Sequence, residues 1–271
     1  MSRIQRILER AERDGAIPPA AAPVPLGTPP ASGGQPVTPP HPLPAAPAVE
    51  SAPANRRKAS GALAPALDAA LRPGSTSAEQ YRTLRTRLLH PVGGHAPETV
   101  LVTSPGRGDG KTQTTLCLGL TMAQERERRV CVLEADLRHP RMSELLGLPP
   151  GPGLADVLTG EASLDEALVD LEDQGLSVLA AGAPGGAAHP AELLDTPAMA
   201  RLLQTLRTRF DRIVVDAPAA APLADVALLA PLVDGVVLVV RAGSTTTPAI
   251  HEAIDRLADE RLMGLVLNDI H

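Results

Sequence analysis

The stretch TVLVTSPGRGDGKTQTT, residues 99–115, determines the fold class of this chain. Its first five residues predict a buried strand at 99–103, and the residues from 111 onward predict a helix. Between them lies a glycine-rich loop, whose backbone N–H groups can turn inward beside the positive end of the helix. This arrangement is typical of a phosphate-binding loop. The residues predicted to contact phosphates are Gly106, Gly108, Asp109, Gly110, Lys111, Thr112 and Gln113.

The lysine of this loop supports the prediction despite an imperfect motif. The strict pattern GxxxxGK[ST] is not met, because Pro105 occupies the position of its first glycine. However, 23 of the 25 basic residues are arginine, and only Lys58 and Lys111 are lysine. A lysine retained in the loop indicates a specific need, and we expect Lys111 to reach the β and γ phosphates of a nucleotide while Thr112 ligates Mg²⁺.

Two further predicted strands end in acidic residues. The strand at 129–134 continues into VLEADLRHP, and the strand at 212–216 into VVDAP. Glu134 and Asp136 are two residues apart, so both should lie on the same side of an extended chain. Asp216 should reach the same crevice, where carboxylates can hold Mg²⁺ or accept a proton from an attacking hydroxyl. The predicted catalytic residues are Lys111, Glu134, Asp136 and Asp216, with Glu134 the nearest proton acceptor, and the predicted metal ligands are Thr112, Asp136 and Asp216.

From residue 76 onward, strand and helix patterns alternate. Near-continuous apolar strands separated by helices predict an α/β fold with a doubly wound, mainly parallel sheet and helices on both faces. Ligands should then bind at the carboxyl ends of the strands. Six strands are predicted, at 99–103, 129–134, 176–180, 212–216, 235–240 and 263–268. Helices are predicted at 77–89, 111–126, 140–147, 153–170, 190–209, 223–230 and 248–260.

The N-terminal quarter of the chain has a different composition. Residues 1–16 have the pattern of a short amphipathic helix. Residues 17–75 hold 15 of the 29 prolines and predict a disordered Pro/Ala-rich linker that contributes no core. The first 75 residues carry a net charge of +3 and the remainder −9, which sum to −6. The third predicted segment, 76–271, is the nucleotide-binding domain.

Composition excludes several classes of function. Tyr81 and Phe210 are the only aromatic residues and the net charge is −6, so stacking platforms for nucleic acid are not expected. Two cysteines, Cys117 and Cys131, lie in apolar runs, which argues against a disulfide framework or a zinc site. No apolar run approaches the roughly 20 residues of a membrane helix, and the N-terminus is charged. These features predict a cytoplasmic protein.

The segment 76–268 resembles the cytoplasmic domain of bacterial tyrosine kinases (BY-kinases), which regulate capsular and exopolysaccharide synthesis. The shared segments, in the family's order, are EQYRTLRTRL, the phosphate loop, VLEADLRHP, GLADVLTGEASLDEAL, HPAELL, DRIVVDAP, VDGVVLVV and GLVLN. The resemblance implies ATP and Mg²⁺ as cofactors and transfer of the γ-phosphate to tyrosine of a partner, or nucleotide-dependent regulation. It assigns Lys111 and Thr112 to the Walker A motif, Glu134 and Asp136 to Walker A′, and Asp216 to Walker B.

The resemblance also implies partners. Glu79, Arg82 and Arg85 match an ExxRxxR helix that packs subunits of the family into a ring, and their spacing puts them roughly on one helical face. A homo-oligomer is therefore expected. Single-chain members carry membrane helices and none is predicted here, so a separate transmembrane, polysaccharide co-polymerase-like adaptor is expected. The protein would then lie peripherally at the inner face of the plasma membrane.

The chain departs from the family pattern at three places. Glu134 stands where an aspartate is usual, Ala219 replaces the second proline of Walker B, and no tyrosine follows Tyr81. Because the family's C-terminal tyrosine cluster is missing, autophosphorylation of the usual kind is not expected. Tyr81 is the one possible self-substrate or switch, unless it is a buried structural residue.

Two alternative functions share these motifs. One is a partitioning or division-site-type P-loop ATPase, but its signature lysine near the start of the loop is absent, and Ser104, Pro105 and Arg107 stand there. The other is a non-catalytic scaffold that binds nucleotide only to stabilise an assembly. An activity assay separates this scaffold from a kinase.

Overall fold

One mainly parallel sheet organises the part of the chain that the computed structural model describes: residues 56–59, 63–91, 94–125, 128–182, 189–220, 225–257 and 261–269. The helix predicted at 1–16 and the linker up to residue 55 lie outside these residues. The strands are β1 (Arg57–Ala59), β2 (Thr99–Thr103), β3 (Val130–Glu134), β4 (Val169–Leu171), β5 (Leu176–Leu179), β6 (Arg212–Asp216), β7 (Gly235–Arg241) and β8 (Leu262–Asn268).

The strand order is β1-β4-β5-β3-β6-β2-β7-β8. Neighbouring strands run parallel except β4 and β5, which are antiparallel. The predicted mainly parallel sheet is confirmed. In this order β6 lies between β2 and β3, so the carboxyl ends that carry the phosphate loop and both acidic motifs adjoin one another.

Helices cover both faces of the sheet, as predicted for a doubly wound fold. On β2, Leu101 joins one apolar cluster while Val100 and Val102 join a second. Because alternate residues of a strand point to opposite faces, a strand buried on both faces must be apolar throughout. The helices are α1 (Pro65–Leu71), α2 (Thr76–Leu89), α3 (Lys111–Ala123), α4 (Met142–Leu145), α5 (Leu154–Thr159), α6 (Leu164–Ala167), α7 (Pro190–Leu194), α8 (Pro197–Arg209), α9 (Asp225–Leu229) and α10 (Thr247–Arg256).

Two predicted helices are wrong in their extent. The segment 153–170 forms α5, α6 and the strand β4. Gly160 ends α5 in the left-handed region, at φ 79°, and Ser163 begins α6 with a capping box. The segment 190–209 is divided into α7 and α8, and Pro197 starts the second helix because proline fits the first turn. With β1 and β4, the described part of the sheet has eight strands and not six.

The prediction that residues 17–75 form a linker without core contacts is wrong for the end of this range. We call residues 56–59 and 63–71, which contain β1 and α1, the strap. Leu67 on α1 is fully buried. Arg57 on β1 donates hydrogen bonds to the carbonyl oxygens of Pro152 (2.8 Å), Glu166 (3.0 Å) and Ala167 (3.1 Å). A three-residue strand and a two-turn helix are too short to show periodicity in a proline-rich sequence.

Candidate nucleotide-binding site

The predicted phosphate loop connects β2 to α3 at the carboxyl edge of the sheet. Gly108 (φ 86°) and Gly110 (φ 95°) adopt left-handed conformations that other residues avoid. A Cβ atom on Gly110 would also lie 2.0 Å from Nδ2 of Asn268, which donates a hydrogen bond to the carbonyl oxygen of Asp109 (3.0 Å). The backbone conformation therefore favours glycine at position 110, and the Asn268 side chain occupies the space that a Cβ atom would fill.

The carboxylate of Asp109 braces the loop internally. Its Oδ2 accepts a hydrogen bond from the backbone N–H of Gly106 (2.9 Å), and its Oδ1 accepts one from the Thr245 hydroxyl (3.0 Å). Asp109 is buried, so the structure directs its side chain into the protein. Sequence reasoning missed Thr245 and Asn268. Asn268 could have been found, because it is the polar residue that ends the last apolar strand.

Lys111, the first residue of α3, faces a cavity of about 430 Å³. Its Nζ lies 2.8 Å from Oδ2 of Asp136, whose Oδ1 accepts a hydrogen bond from the backbone N–H of His139 (3.1 Å). Asp136 and Lys111 are thus brought together at the cavity wall. The cavity is lined by Arg107, Gly108, Gly110, Lys111, Thr112, Gln113, Asp136, His139, Pro140, Arg141 and Leu145.

Asp216, the last residue of β6, lies behind the first turn of α3. Its Oδ2 accepts a hydrogen bond from the Thr112 hydroxyl (2.7 Å), and Thr115 Oγ1 lies 3.4 Å from its Oδ1. Burial raises the pKa of Asp216 to about 7, although Lys111 and the Thr112 hydrogen bond act in the opposite direction. A carboxylate that is this costly to ionise without a further cation is suited to a cation site.

Glu134, at the end of β3, has different partners from Asp136. Its Oε1 accepts hydrogen bonds from the backbone N–H groups of Arg141 (2.5 Å) and Met142 (2.8 Å), and its Oε2 accepts one from Ala181 (3.0 Å). Burial raises the pKa of Glu134, and these three hydrogen bonds oppose that rise. The two acids therefore do not form a pair facing one reactant.

The oxygen donors at this site fit magnesium bound together with a nucleotide. Within the described ranges, no group of three or more His, Cys, Asp or Glu side chains converges to hold a metal ion. Mg²⁺ uses few protein ligands and completes its octahedron with water and phosphate oxygens. The Thr112 hydroxyl and the Asp216 carboxylate, 2.7 Å apart beside the loop, supply donors of this kind.

The three ExxRxxR residues on α2 do not all face outward. Glu79 forms an ion pair with Arg82 at the exposed surface. Arg85 instead turns toward α3, where its Nη1 donates to the carbonyl oxygen of Thr121 (2.9 Å) and its Nε lies 3.4 Å from Oε1 of Glu125. The prediction of a common face is wrong for Arg85, which fastens α2 to the end of the helix that follows the phosphate loop.

Tyr81 and Arg138 also have partners inside the protein. Tyr81 is half-buried against the apolar cluster that contains Leu116 and Cys117 of α3, and burial raises the pKa of its hydroxyl. Arg138 forms a bidentate pair with the buried carboxylate of Asp225 at 2.8 and 3.1 Å. Cys117 and Cys131 are free and buried.

These features define a class of protein. A doubly wound, mainly parallel sheet carries a glycine-rich loop that ends in Lys-Thr after β2. Acidic residues end β6, which lies beside β2, and β3, which lies beside β6. This is the architecture of a P-loop nucleotide-binding domain.

Comparison with known proteins identifies the family within this class. The chain is 31% identical over 198 residues to tyrosine-protein kinase YwqD of Bacillus subtilis (strain 168). The aligned residues cover 72% of this chain and 82% of that relative. It is 30% identical over 199 residues to the succinoglycan biosynthesis transport protein ExoP of Rhizobium meliloti (strain 1021), covering 72% of this chain but 25% of ExoP. The chain thus spans a quarter of that relative's length. No family model matches.

Solved structures agree with these relatives. The kinase domain of Escherichia coli tyrosine kinase ETK superposes with a TM-score of 0.70 at 26% identity, over 75% of this chain and 80% of that chain. The VpsO kinase domain gives a TM-score of 0.63 at 31% identity, over 73% of this chain and 100% of that chain. The chain belongs to the bacterial tyrosine kinase family. Among the residues that the structure describes, no helix has the length and apolar character needed to cross a membrane.

Proposed function

We propose that this protein binds ATP with Mg²⁺ and transfers the γ-phosphate to a tyrosine of a partner protein in capsular or exopolysaccharide synthesis. The observation that carries this proposal is the Lys111 ammonium held at the cavity wall, 2.8 Å from Asp136, at the end of a left-handed glycine loop. Family membership supplies the reaction class, because the loop and acids alone would equally suit an ATPase.

Four side chains at the site have proposed tasks. Lys111 neutralises phosphate charge, and the first turn of α3 adds N–H donors that have no intrahelical partner. Thr112, Asp136 and Asp216 offer oxygens to Mg²⁺, which would stabilise the charge that develops during transfer. Because Asp136 lines the cavity, we assign to it the second task of accepting the proton of a substrate hydroxyl.

The experiment that tests this proposal replaces Lys111 and compares the result with the same replacement at Lys58. Lys111→Met should lower ATP affinity, measured by calorimetry at fixed Mg²⁺, by at least about 10-fold, because a charge-assisted contact is lost. Lys58→Met is the control, since Lys58 is the other lysine and lies exposed on β1, paired with Glu172. Unchanged affinity in Lys111→Met would refute the nucleotide site.

A second measurement separates a kinase from the other two functions. Purified protein is incubated with γ-labelled ATP and a tyrosine-containing substrate, with and without the cytoplasmic tail of a candidate adaptor. Label on tyrosine supports the kinase. Release of labelled phosphate alone supports a partitioning-type ATPase, and binding without either product supports a scaffold.

The proposed assembly has two parts. We propose that a homo-oligomer forms through α2, where Glu79 is exposed and Arg82 is partly exposed, with Arg85 acting from inside the subunit. The second part is a separate transmembrane, polysaccharide co-polymerase-like adaptor that places the protein at the cytoplasmic face of the plasma membrane. Co-purification with such an adaptor from membranes tests the second part.

A further inference from the structure

Glu134 holds together two loops at the carboxyl edge of the sheet. It is 1% exposed at the end of β3, and both of its oxygens accept hydrogen bonds. Oε1 binds the N–H groups of Arg141 and Met142 in the loop after β3, and Oε2 binds the N–H group of Ala181 after β5. Hydrogen bonds from backbone donors to a carboxylate are stronger than those to a neutral acceptor.

The first of these loops forms one wall of the nucleotide cavity. His139, Pro140, Arg141 and Leu145 line it. Arg141 caps the short helix α4, which begins at Met142, and the first N–H groups of this helix donate no hydrogen bond to the Arg141 side chain. Glu134 supplies an acceptor for these N–H groups from the end of β3. The wall is also held by Asp136, which accepts from the N–H group of His139, and by Ala64, which donates to the carbonyl oxygen of Leu145.

The second loop connects the same carboxylate to α5. The carbonyl oxygens of Ala180 and Ala181 accept hydrogen bonds from the N–H groups of Leu154 (2.7 Å) and Ala155 (3.0 Å) at the start of α5. Glu134 is therefore the point where the cavity wall, the end of β5 and the start of α5 are joined. The longer side chain suits this task, because an aspartate at this position would withdraw the carboxylate by about 1.5 Å.

We propose that Glu134 is a positioning residue that fixes the wall of the nucleotide cavity, and that it does not accept a proton in phosphoryl transfer. This inference rests on the proposed function for its kinetic consequences, but its structural basis concerns the nucleotide-free protein. It replaces the expectation from sequence that Glu134 is the nearest proton acceptor. The geometry leaves Asp136 as the acid of this motif that faces the cavity.

The test uses Glu134→Gln and Glu134→Asp in the full chain. The amide nitrogen of glutamine cannot accept an N–H bond, and the aspartate is too short to reach both loops. In each variant, amide hydrogen exchange at Arg141, Met142 or Ala181 should accelerate by about 10-fold or more, as expected for loss of a hydrogen bond to a charged group. KM for ATP should rise by a similar factor, while kcat stays within about 3-fold.

A proton acceptor would give the opposite pattern. Glu134→Gln would then lower kcat by about 100-fold or more with KM and amide exchange unchanged, and Glu134→Asp would retain most of the rate. The Glu134→Gln result overturns the proposal, whereas a retained rate in Glu134→Asp is expected for either role. The matched control is Glu144→Gln, since Glu144 lies exposed on α4 and pairs with Arg141 through its side chain. It should leave exchange at Ala181 and kcat unchanged.

Failure of this inference is distinguishable from failure of the proposed function. Exchange is measured without nucleotide, so unchanged exchange in both Glu134 variants refutes the positioning role whatever the protein binds. Unchanged ATP affinity in Lys111→Met refutes the nucleotide site and leaves the exchange result intact. Circular dichroism of each variant checks that the fold is retained, and Glu134→Asp preserves the charge if Glu134→Gln fails to fold.

Discussion

The strap should be part of the folding unit, and Leu67 offers the sharpest test. Leu67 has no exposed surface and packs in the cluster that contains Met142 and Leu146. Replacing a fully buried leucine with alanine removes about 2–5 kcal/mol of stability, because apolar contacts are lost and a cavity remains. For a domain of this size, each kcal/mol shifts the melting temperature by about 2–4 °C. Leu67→Ala should therefore melt about 4–20 °C lower.

Far-ultraviolet circular dichroism is the suitable assay, because the chain has no tryptophan. The matched control is Asp68→Ala, an exposed change on the same helix, which should cost less than about 1 kcal/mol. Removing residues 1–55 should leave the melting temperature within about 2 °C of the full chain. Removing 1–73 deletes Leu67 and the three short hydrogen bonds of Arg57, so it should destabilise at least as much as Leu67→Ala.

The result that would refute this reasoning is equal stability. If Leu67→Ala and the 1–73 deletion both melt within about 2 °C of the full chain, then the strap contributes no core, as the composition of the segment suggested.

The strap also contacts the nucleotide site. The N–H group of Ala64 donates to the carbonyl oxygen of Leu145 (2.9 Å), and Leu145 lines the nucleotide cavity. Loss of the strap should thus also weaken ATP binding.

Two further predictions follow from the site and from α2. Since burial raises the pKa of Asp216 to about 7, the folded protein holds this proton more tightly than the unfolded chain, and the resulting stability is lost as pH rises toward 7. Asp216→Asn without Mg²⁺ should therefore be more stable than wild type at pH 8 in urea titrations, and the difference should shrink toward pH 5. Equal stability at pH 8 would contradict the raised pKa of Asp216. Arg82→Ala should reduce oligomer size in light scattering without lowering the melting temperature by more than about 2 °C. Arg85→Ala should also destabilise the subunit, because it removes the hydrogen bond to the carbonyl oxygen of Thr121. Identical effects of the two variants would contradict the different positions of the two arginines.

Local sequence was sufficient for the central strands and for the loop. The strands at 99–103 and 212–216 have the predicted bounds, because an apolar run buried on both faces leaves few alternatives. The loop was predictable for a different reason: glycines at 108 and 110 followed by Lys-Thr form a pattern that few other local structures require.

Short elements were not predictable, and their stability explains why. A three-residue strand or a two-turn helix has little preference of its own and forms because tertiary partners are available. β1 pairs with β4, and β4 itself interrupts a segment that reads as helix from 153 to 170. β4 also pairs with β5, so β1 and β4 each form along a neighbouring strand.

The sequence by itself determined which residue types stand at the carboxyl ends of the strands, and hence the class of chemistry. Only the tertiary structure decided which of these groups face the cavity. Glu134 and Asp136 are equivalent by spacing, yet one binds three backbone N–H groups and the other pairs with Lys111. Side-chain direction past the end of a strand depends on where neighbouring loops place their N–H groups, and a buried carboxylate must satisfy those donors before it can serve a substrate.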